Sequence, residues 1–305
     1  MTNIWILGAT GYVGSALTQY LLENQPKDTV ITTLAHRTMP FRALEKTNLI
    51  TGRLEDFDFG WFDRFPPDVI FHCARMAGNT DSSRKKAAQR GKRANLQWRN
   101  ALLNLPKIPT VVYCSGTLMY GNQKGVIDED TSINPIAFAR YYADAEQPWM
   151  TPPKAEEDIR IARPAWIMGA DSWFYYFFYK PAIETGKVPY YGTGQQQMSL
   201  LHVDDCGGLL YLSWAKGETN QHYNLFVYPP VTQQQFSEMV AHEMNCEVEC
   251  IDAFQLEKTH GTTVMEALTS NIPVETKHRE WHRHYTPKYS NLKEMISKVV
   301  TDCNH

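Results

Sequence analysis

A glycine-rich turn near the start of the chain, within NIWILGATGYVG, most constrains what the chain can fold into. Gly8, Gly11 and Gly14 follow a short apolar run and precede GSALTQYLLENQ, whose apolar residues recur at helical spacing. This spacing between a strand and a helix suits a tight turn, close approach of phosphates to the backbone, and dense helix packing. We therefore expect the chain to open with the strand–turn–helix unit of a nucleotide-binding sheet.

Strands and helices alternate along the first half of the chain. The further apolar runs that predict strands are TVITTLAHR, DVIFHCA, TVVYCSG and IRIARPAWIMG. Such alternation predicts a parallel sheet with helices on both faces, the doubly wound α/β (Rossmann) fold. We expect a dinucleotide-binding domain over residues 1–165. Residues 166–305 are expected to add late sheet strands, at about 199–226, and a smaller substrate-binding lobe.

Composition excludes several other classes of protein. The 305 residues include 43% hydrophobic and 21% charged residues, which is ordinary for a globular protein. The net charge of −3 gives no global reason to expect a nucleic-acid partner, and no apolar run is long enough for a membrane span. The six cysteines follow no framework spacing, so we expect free thiols and a cytoplasmic location, with no metal site.

Ordered matches along nearly the whole chain resemble the extended short-chain dehydrogenase/reductases of the NAD-dependent epimerase/dehydratase type. GATGYVG resembles that family's phosphate loop, PDVIFHCAR its fourth strand and VVYCSGTLMYG its fifth strand. ARPAWIMG and GTGQQQMSLLHVDD resemble later segments in the family's order. The resemblance implies a nicotinamide dinucleotide cofactor and a small or nucleotide-sugar-like substrate with a carbonyl or hydroxyl group. A homodimer is a further expectation.

The resemblance also implies which residues contact the cofactor. These are Gly8, Thr10, Gly11, Tyr12, Val13, Gly14, His36, Arg37, Leu54, Cys73, Ala74, Arg75, Asn95, Ser115 and Pro164. NAD enzymes usually carry Asp or Glu at the end of the second strand, where it accepts hydrogen bonds from ribose hydroxyls. Here LAHRT places His36 and Arg37 there, and an arginine suits a 2′-phosphate. We therefore expect NADP(H); a solvated surface arginine is the alternative. Arg53, where the family often has Asp, could add positive charge.

The segment FARYYADAE, residues 138–146, departs from the family's Tyr-x-x-x-Lys motif. If Glu146 is aligned with the glutamate that follows the family's lysine, Phe138 fills the tyrosine position and Tyr142 the lysine position. A rival register puts Tyr142 on the tyrosine and Glu146 on the lysine. The family's catalytic serine falls on Gly116. Because neither register supplies a lysine, the usual proton relay is absent.

Two interpretations follow from the missing relay. In the first, the protein keeps oxidoreductase or epimerase/dehydratase-like chemistry with substitute acids, for which the candidates are Tyr142, Thr117, Tyr120 and Tyr141. Hydride transfer depends mainly on proximity, and losing an acid costs about 10²–10⁴-fold in rate rather than all activity. In the second, the protein is a catalytically silent NADP(H)-binding regulator or sensor. Whether the protein is an enzyme stays open at this point.

Two further segments are unusual in composition. RMAGNTDSSRKKAAQRGKR, which begins at Arg75, is basic in an otherwise acidic chain. We expect a mobile, solvated loop there, and contacts with an anionic ligand are the alternative. The residues from Trp173 to Tyr179 are all aromatic and cannot all lie on one helical face. Core packing is expected for these rings, and an apolar ligand pocket is the alternative.

Overall fold

The structure of the protein is a computed structural model, which describes residues 1–36, 42–154 and 156–304. Arg37, which the sequence predicts to meet a 2′-phosphate, lies outside the described residues. The strands are β1 Thr2–Leu7, β2 Thr29–Ala35, β3 Asn48–Thr51, β4 Val69–His72, β5 Thr110–Cys114, β6 Ile159–Pro164, β7 Trp166–Met168, β8 Lys187–Tyr191, β9 Gln197–Met198, β10 Leu200–His202, β11 His222–Leu225, β12 Val231–Thr232 and β13 Glu247–Ile251. The helices are α1 Tyr12–Asn24, α2 Trp61–Arg64, α3 Asp81–Leu103, α4 Ala137–Met150, α5 Lys180–Thr185, α6 Val203–Ala215, α7 Gln233–Met244, α8 Ala253–His260, α9 Thr262–Thr269, α10 Arg279–Arg283 and α11 Leu292–Cys303.

The chain folds into two compact units, and each draws on three separate stretches of sequence. The first unit consists of Met1–Ser115, Tyr141–Arg163 and Cys206–Tyr223. The second consists of Gly116–Arg140, Pro164–Asp205 and Asn224–His305. The single domain boundary at residue 165 stays a prediction from the sequence.

A seven-stranded sheet in the order β11-β6-β5-β4-β1-β2-β3 dominates the fold. Neighbouring strands of this sheet, from β3 at one edge through β2, β1, β4 and β5 to β6, are all parallel. Strand β11 follows the direction of β6, since the Ile161 N–H donates to the Gln221 carbonyl at 3.1 Å. The chain reverses its direction of travel across the sheet between β1 and β4, and sheets of this kind bind ligands beyond the carboxyl ends of such strands. The predicted doubly wound parallel sheet is confirmed.

Aromatic packing fixes α3 against the sheet in the first unit. Trp5 on β1 and Trp98 on α3 are fully buried, and their rings meet Phe62 at centroid distances of 5.1 and 5.8 Å. Phe57 stacks on Trp98 at 4.6 Å. The Trp98 indole N–H donates to the carbonyl of Leu54 at 3.0 Å, so this large ring is buried with its polar atom satisfied.

The expectation of a mobile loop in the basic segment that begins at Arg75 was wrong from Asp81 onward, where the chain forms helix α3. Thr80 caps the helix: its side chain accepts from the Ser83 N–H at 3.2 Å, and the Ser83 hydroxyl accepts from the Thr80 N–H at 2.9 Å. The basic side chains Lys85, Lys86, Arg90, Lys92 and Arg93 are exposed on the outer face. The inner face is made of residues at helical spacing, namely Ala87, Ala88, Gly91, Ala94, Asn95, Trp98, Arg99 and Leu102.

Helix α4 packs closely on α3. A Cβ atom at Gly91 would lie 3.3 Å from the Cβ of Ala145, so the two helices approach tightly at this point. Arg99 on α3 pairs with the buried Glu157 at 2.7 Å and also donates to the carbonyl of Pro148. These contacts fix the position of α4, which carries residues 138–146.

The second unit contains three short strand pairs, β7–β10, β8–β13 and β9–β12. IRIARPAWIMG, predicted as one strand, is divided into β6 and β7. The reason is a change of partner: the Ala165 N–H donates to Leu225, whereas the Trp166 N–H donates to Ser199. None of the described helices is both long and apolar enough to cross a membrane.

The aromatic run lies mainly in the core of the second unit. Phe174 and Phe178 are fully buried and meet Phe236 at 6.2 and 5.2 Å, whereas Tyr176 is 62% exposed. A π-helical turn over Tyr175–Tyr179 distributes the rings around the backbone. The expectation of core packing is confirmed for these two phenylalanines.

Candidate functional site

Two positions where β1 leads into α1 accept only glycine, one in the turn and one in the first turn of the helix. Gly8 has a φ of +82°, and a Cβ atom there would lie 2.7 Å from the Cα of Ala74. At Gly14, a Cβ atom would lie 2.2 Å from the carbonyl oxygen of Gly8. Any side chain at either position would therefore push apart the turn, the helix and the end of β4.

The N-terminus of α1 is open to an anion. Gly11 is the N-cap residue, it is exposed, and no side chain caps the helix. The first turn carries no acidic residue, so the positive end of the helix dipole is not neutralised within the helix. The neighbouring Thr10, Tyr12 and Val13 are partly buried. This cradle fits the pyrophosphate of a dinucleotide.

Basic groups lie beyond the ends of β2 and β3. Arg53 Nε donates to His36 Nε2 at 3.0 Å, and both side chains are exposed. Glu55, two residues further along, is engaged by Arg90, whose Nη2 lies 2.6 Å from its carboxylate. Arg90 holds the pKa of Glu55 below its usual range. No carboxylate follows β2 where NAD enzymes carry one, since His36 occupies that position.

Asn95 joins β4, α3 and α4 beneath the carboxyl edge of the sheet. Its side-chain N–H donates to the carbonyl of Ala145 at 2.8 Å, and its Oδ1 lies 2.9 Å from His72 Nε2. The oxygen is the acceptor, so His72 carries its hydrogen on Nε2. Burial lowers the pKa of His72 to about 4, which keeps this imidazole neutral near pH 7.

Cys73 and Cys114 follow in register at the ends of the paired strands β4 and β5. The neighbouring thiol of Cys114, together with burial, raises the pKa of Cys73. All six cysteines are free thiols. In the described parts of the chain, no group of three or more His, Cys, Asp or Glu side chains is arranged to hold a metal ion.

Arg75 rests on the ring of Tyr142. The guanidinium carbon lies 4.3 Å from the ring centroid, within the range of a cation–π contact. Tyr142 is 7% exposed, whereas Arg75 is exposed at the surface. The ring of Tyr142 therefore carries a cation from another element on its face.

A buried polar cluster that sequence reasoning missed lies next to this pair on α4. The Ser115 hydroxyl donates to Glu146 at 2.5 Å, and Arg163 Nη2 lies 3.8 Å from the other carboxylate oxygen. Glu146 is 2% exposed, and burial raises its pKa. The sequence signal for this cluster was the position of Glu146, one helical turn after Tyr142, which puts both side chains on one face of the helix.

The hydroxyl groups of the other predicted acids, Tyr120, Tyr141 and Thr117, differ in their surroundings. The buried Tyr120 hydroxyl donates to Asn224 Oδ1 at 2.8 Å. The Tyr141 hydroxyl donates to Asp81 at 2.9 Å. Thr117 is buried at the start of a 3-10 turn. The two phenols thus give their hydrogens to protein acceptors.

Space exists at Gly116 for a small side chain. Its φ of −179° is extended backbone that any residue adopts. A Cβ atom would have only the Pro164 carbonyl oxygen as a neighbour, at 4.0 Å. Phe138 is a partly buried residue in the first turn of α4.

The model of the NAD dependent epimerase/dehydratase family matches residues 4–225. The chain belongs to this family. The resemblance drawn from the glycine turn and the later motifs is thereby confirmed. No curated protein matches the chain in sequence.

Several solved structures share the fold across nearly the whole chain. Human epimerase family protein SDR39U1, with NADPH, has a TM-score of 0.79 at 15% identity, covering 99% of this chain and 100% of that one. dTDP-glucose 4,6-dehydratase from Bacillus anthracis, in complex with NAD, has a TM-score of 0.77 at 15% identity, covering 100% and 97%. UDP-glucuronic acid 4-epimerase from Bacillus cereus, in complex with UDP-glucuronic acid and NAD, has a TM-score of 0.77 at 16% identity, covering 99% and 99%.

Proposed function

We propose that the protein binds NADP(H) and acts on a small or nucleotide-sugar-like substrate through its carbonyl or hydroxyl group. The observation that carries this proposal is the glycine cradle under the uncapped N-terminus of α1. Family membership supports it. So do the similar structures, which hold NAD or NADPH and include enzymes named for sugar nucleotides.

The residues of the first unit have defined roles in this proposal. The backbone around Gly11 would hold the pyrophosphate, and the adenosine half would lie toward Leu54 beyond β3. The nicotinamide half would lie toward Ala74 and Ser115, beyond β4 and β5. When bound, the cofactor supplies or accepts the hydride, and the protein supplies position and proton transfer.

The choice of NADP(H) over NAD(H) is supported by charge at the adenosine end. His36 and Arg53 meet there, and Glu55, two residues after Arg53, is already paired with Arg90. A 2′-phosphate would gain a charge-assisted contact, whereas a free ribose hydroxyl would find no carboxylate acceptor among these described side chains. Arg37, outside the described residues, would add to the same charge.

The altered acid/base set is proposed to centre on Tyr142. Phe138 has no proton to donate, and the hydroxyls of Tyr120 and Tyr141 donate to protein acceptors. The Arg75 guanidinium on the ring of Tyr142 would favour its phenolate, which supports Tyr142, and the buried Thr117 is the second candidate.

A second candidate function is a catalytically silent NADP(H)-binding regulator or sensor. The specific observation in its favour is that potential proton donors are engaged within the protein: Ser115 bonds Glu146, and two phenols bond Asn224 and Asp81. Substrate-dependent NADPH oxidation with a panel of aldehydes, ketones and 4-keto sugar nucleotides supports the enzyme. Tight NADPH binding without turnover supports the silent protein. A cytoplasmic location and a homodimer stay predictions.

Replacement of Arg53 by aspartate tests the cofactor assignment. We expect Arg53→Asp to weaken NADPH binding by about 1.5–3 kcal/mol, the value of a charged hydrogen bond, and to leave NADH binding nearly unchanged. Lys107→Asp is a control outside this cluster, because Lys107 contacts Asp68 near the opposite end of β4. Calorimetric titration with both cofactors measures the effect. A parent protein that binds NADPH and NADH equally would contradict the assignment.

A further inference from the structure

Arg75, like Arg64, contacts an aromatic ring, which distinguishes both from other arginines of the first unit. Several of those arginines form ion pairs, namely Arg90–Glu55, Arg99–Glu157, Arg160–Asp158 and Arg163–Glu146. Across the described ranges, no carboxylate lies within ion-pair distance of Arg75, and its contact is the face of Tyr142. A guanidinium that stacks on a ring uses its flat face, so the N–H donors at its edge stay available for a planar or phosphate anion.

The ring under Arg75 is itself held in place. Tyr142 is 7% exposed and belongs to α4, whose neighbouring turn carries the buried Ser115–Glu146 bond. Helix α4 is also fixed on α3 by the close approach at Gly91. Stacking on a fixed ring reduces the conformational entropy that a long, exposed side chain would lose on meeting a ligand.

The position of Arg75 places its charge beside the phosphate cradle. It is the third residue after β4, and the preceding Ala74 lies 2.7 Å from where a Cβ atom of Gly8 would be. Strand β4 pairs with β1 on the side away from β2. In a doubly wound sheet the dinucleotide crosses the carboxyl edge here, so Arg75 lies on the nicotinamide side of the cradle.

We infer that Arg75, seated on the ring of Tyr142, binds an anionic oxygen on the nicotinamide side of the cofactor site. The inference rests on the proposed NADP(H) binding. The anion is a phosphate or carboxylate group, from either the cofactor's own diphosphate or an acidic substrate. Tyr142 is the positioning residue in this arrangement and acts through its ring, which is independent of any role of its hydroxyl.

Replacement of Arg75 by methionine tests the inference by binding rather than turnover. We expect Arg75→Met to weaken NADPH about tenfold or more, the loss of a charge-assisted contact. The same variant should bind 2′,5′-ADP, which lacks the nicotinamide half, as the parent does. Lys216→Met removes an exposed positive charge at the end of α6 and should change neither affinity. If the affinity for NADPH is unchanged, UDP-glucuronic acid is titrated into the NADP⁺-saturated parent and variant. Weaker binding by Arg75→Met would then identify an acidic substrate as the source of the anion.

Replacements of Tyr142 separate the ring from the hydroxyl. Tyr142→Phe keeps the ring and should bind the anionic ligand as the parent does, whereas Tyr142→Leu should weaken it in the same direction as Arg75→Met. If the parent and Arg75→Met bind NADPH equally and also bind UDP-glucuronic acid equally, the inference about Arg75 is overturned and the proposed function is not. A parent protein that does not bind NADPH would instead contradict the proposed function on which the inference rests.

Discussion

At the scale of single residues, the carboxyl edge of the sheet depends on a buried, neutral histidine. His72 is 1% exposed and donates to Asn95, and burial lowers its pKa to about 4. The unfolded chain takes up this proton at about pH 6.5, so between about pH 6.5 and 4 the unfolded state binds more protons than the folded state. His72 therefore contributes stability that is complete above about pH 6.5 and is lost as the pH falls toward 4.

The corresponding prediction compares two histidine variants. Between pH 7 and 4, the free energy of unfolding of the parent should fall relative to that of His72→Gln, by on the order of 3 kcal/mol. Glutamine is chosen because its amide N–H can still donate to Asn95. His284→Gln replaces an exposed histidine and should follow the parent. Urea unfolding at a series of pH values measures the curves, and parallel curves for His72→Gln and the parent would refute the prediction.

At the scale of elements, helix α4 decides whether a tyrosine–lysine relay can operate. Residues 138 and 142 are one turn apart in α4, so Phe138→Tyr with Tyr142→Lys would place a phenol and an ammonium on one face. The ammonium would favour the phenolate. Gly116→Ser completes the set, and the 4.0 Å clearance at Gly116 leaves room for the new side chain.

We expect the triple variant to gain carbonyl reductase activity with NADPH, by about 10²-fold, the low end for acid–base catalysis. The gain is limited because a lysine at 142 would lie beside the cation of Arg75. Single variants should gain little, since each supplies only part of the relay. Efficient turnover by the parent that disappears in Tyr142→Phe would show that Tyr142 is already the working acid. Tyr141→Phe, which alters a phenol bonded to Asp81, is the matched control.

Elements were predictable where periodicity and turn chemistry agree. The strand ends before Gly8 and at Cys73 follow from short apolar runs that stop at a turn. The start of α3 was missed because Thr80 forms its capping box with Ser83 rather than with the usual Glu or Gln. Small residues on its inner face, such as Ala87, also made a weak apolar stripe beside many charges.

At the scale of the whole molecule, the sequence predicts the sheet and the family but not which side chains contact one another in the site. The contacts of Arg75 with Tyr142 and of Ser115 with Glu146 join residues from different elements. Periodicity assigns a side chain to a face, but it does not identify which distant side chain will meet it. The same limit applies to Tyr120, whose hydroxyl is bonded to Asn224.

The central claim is that the cradle between β1 and α1 holds NADP(H), and titration of NADPH into the Gly11→Val variant tests it most directly. A Cβ atom at Gly11 would already lie 3.2 Å from the Gly8 carbonyl, and a valine would fill the place where the backbone must approach the pyrophosphate. Gly125→Val, at an exposed glycine with no atom within 4 Å of its Cβ position, is the control. The account predicts that the parent and Gly125→Val bind NADPH alike and that Gly11→Val does not bind it measurably. Equal NADPH affinity in Gly11→Val and the parent would contradict it.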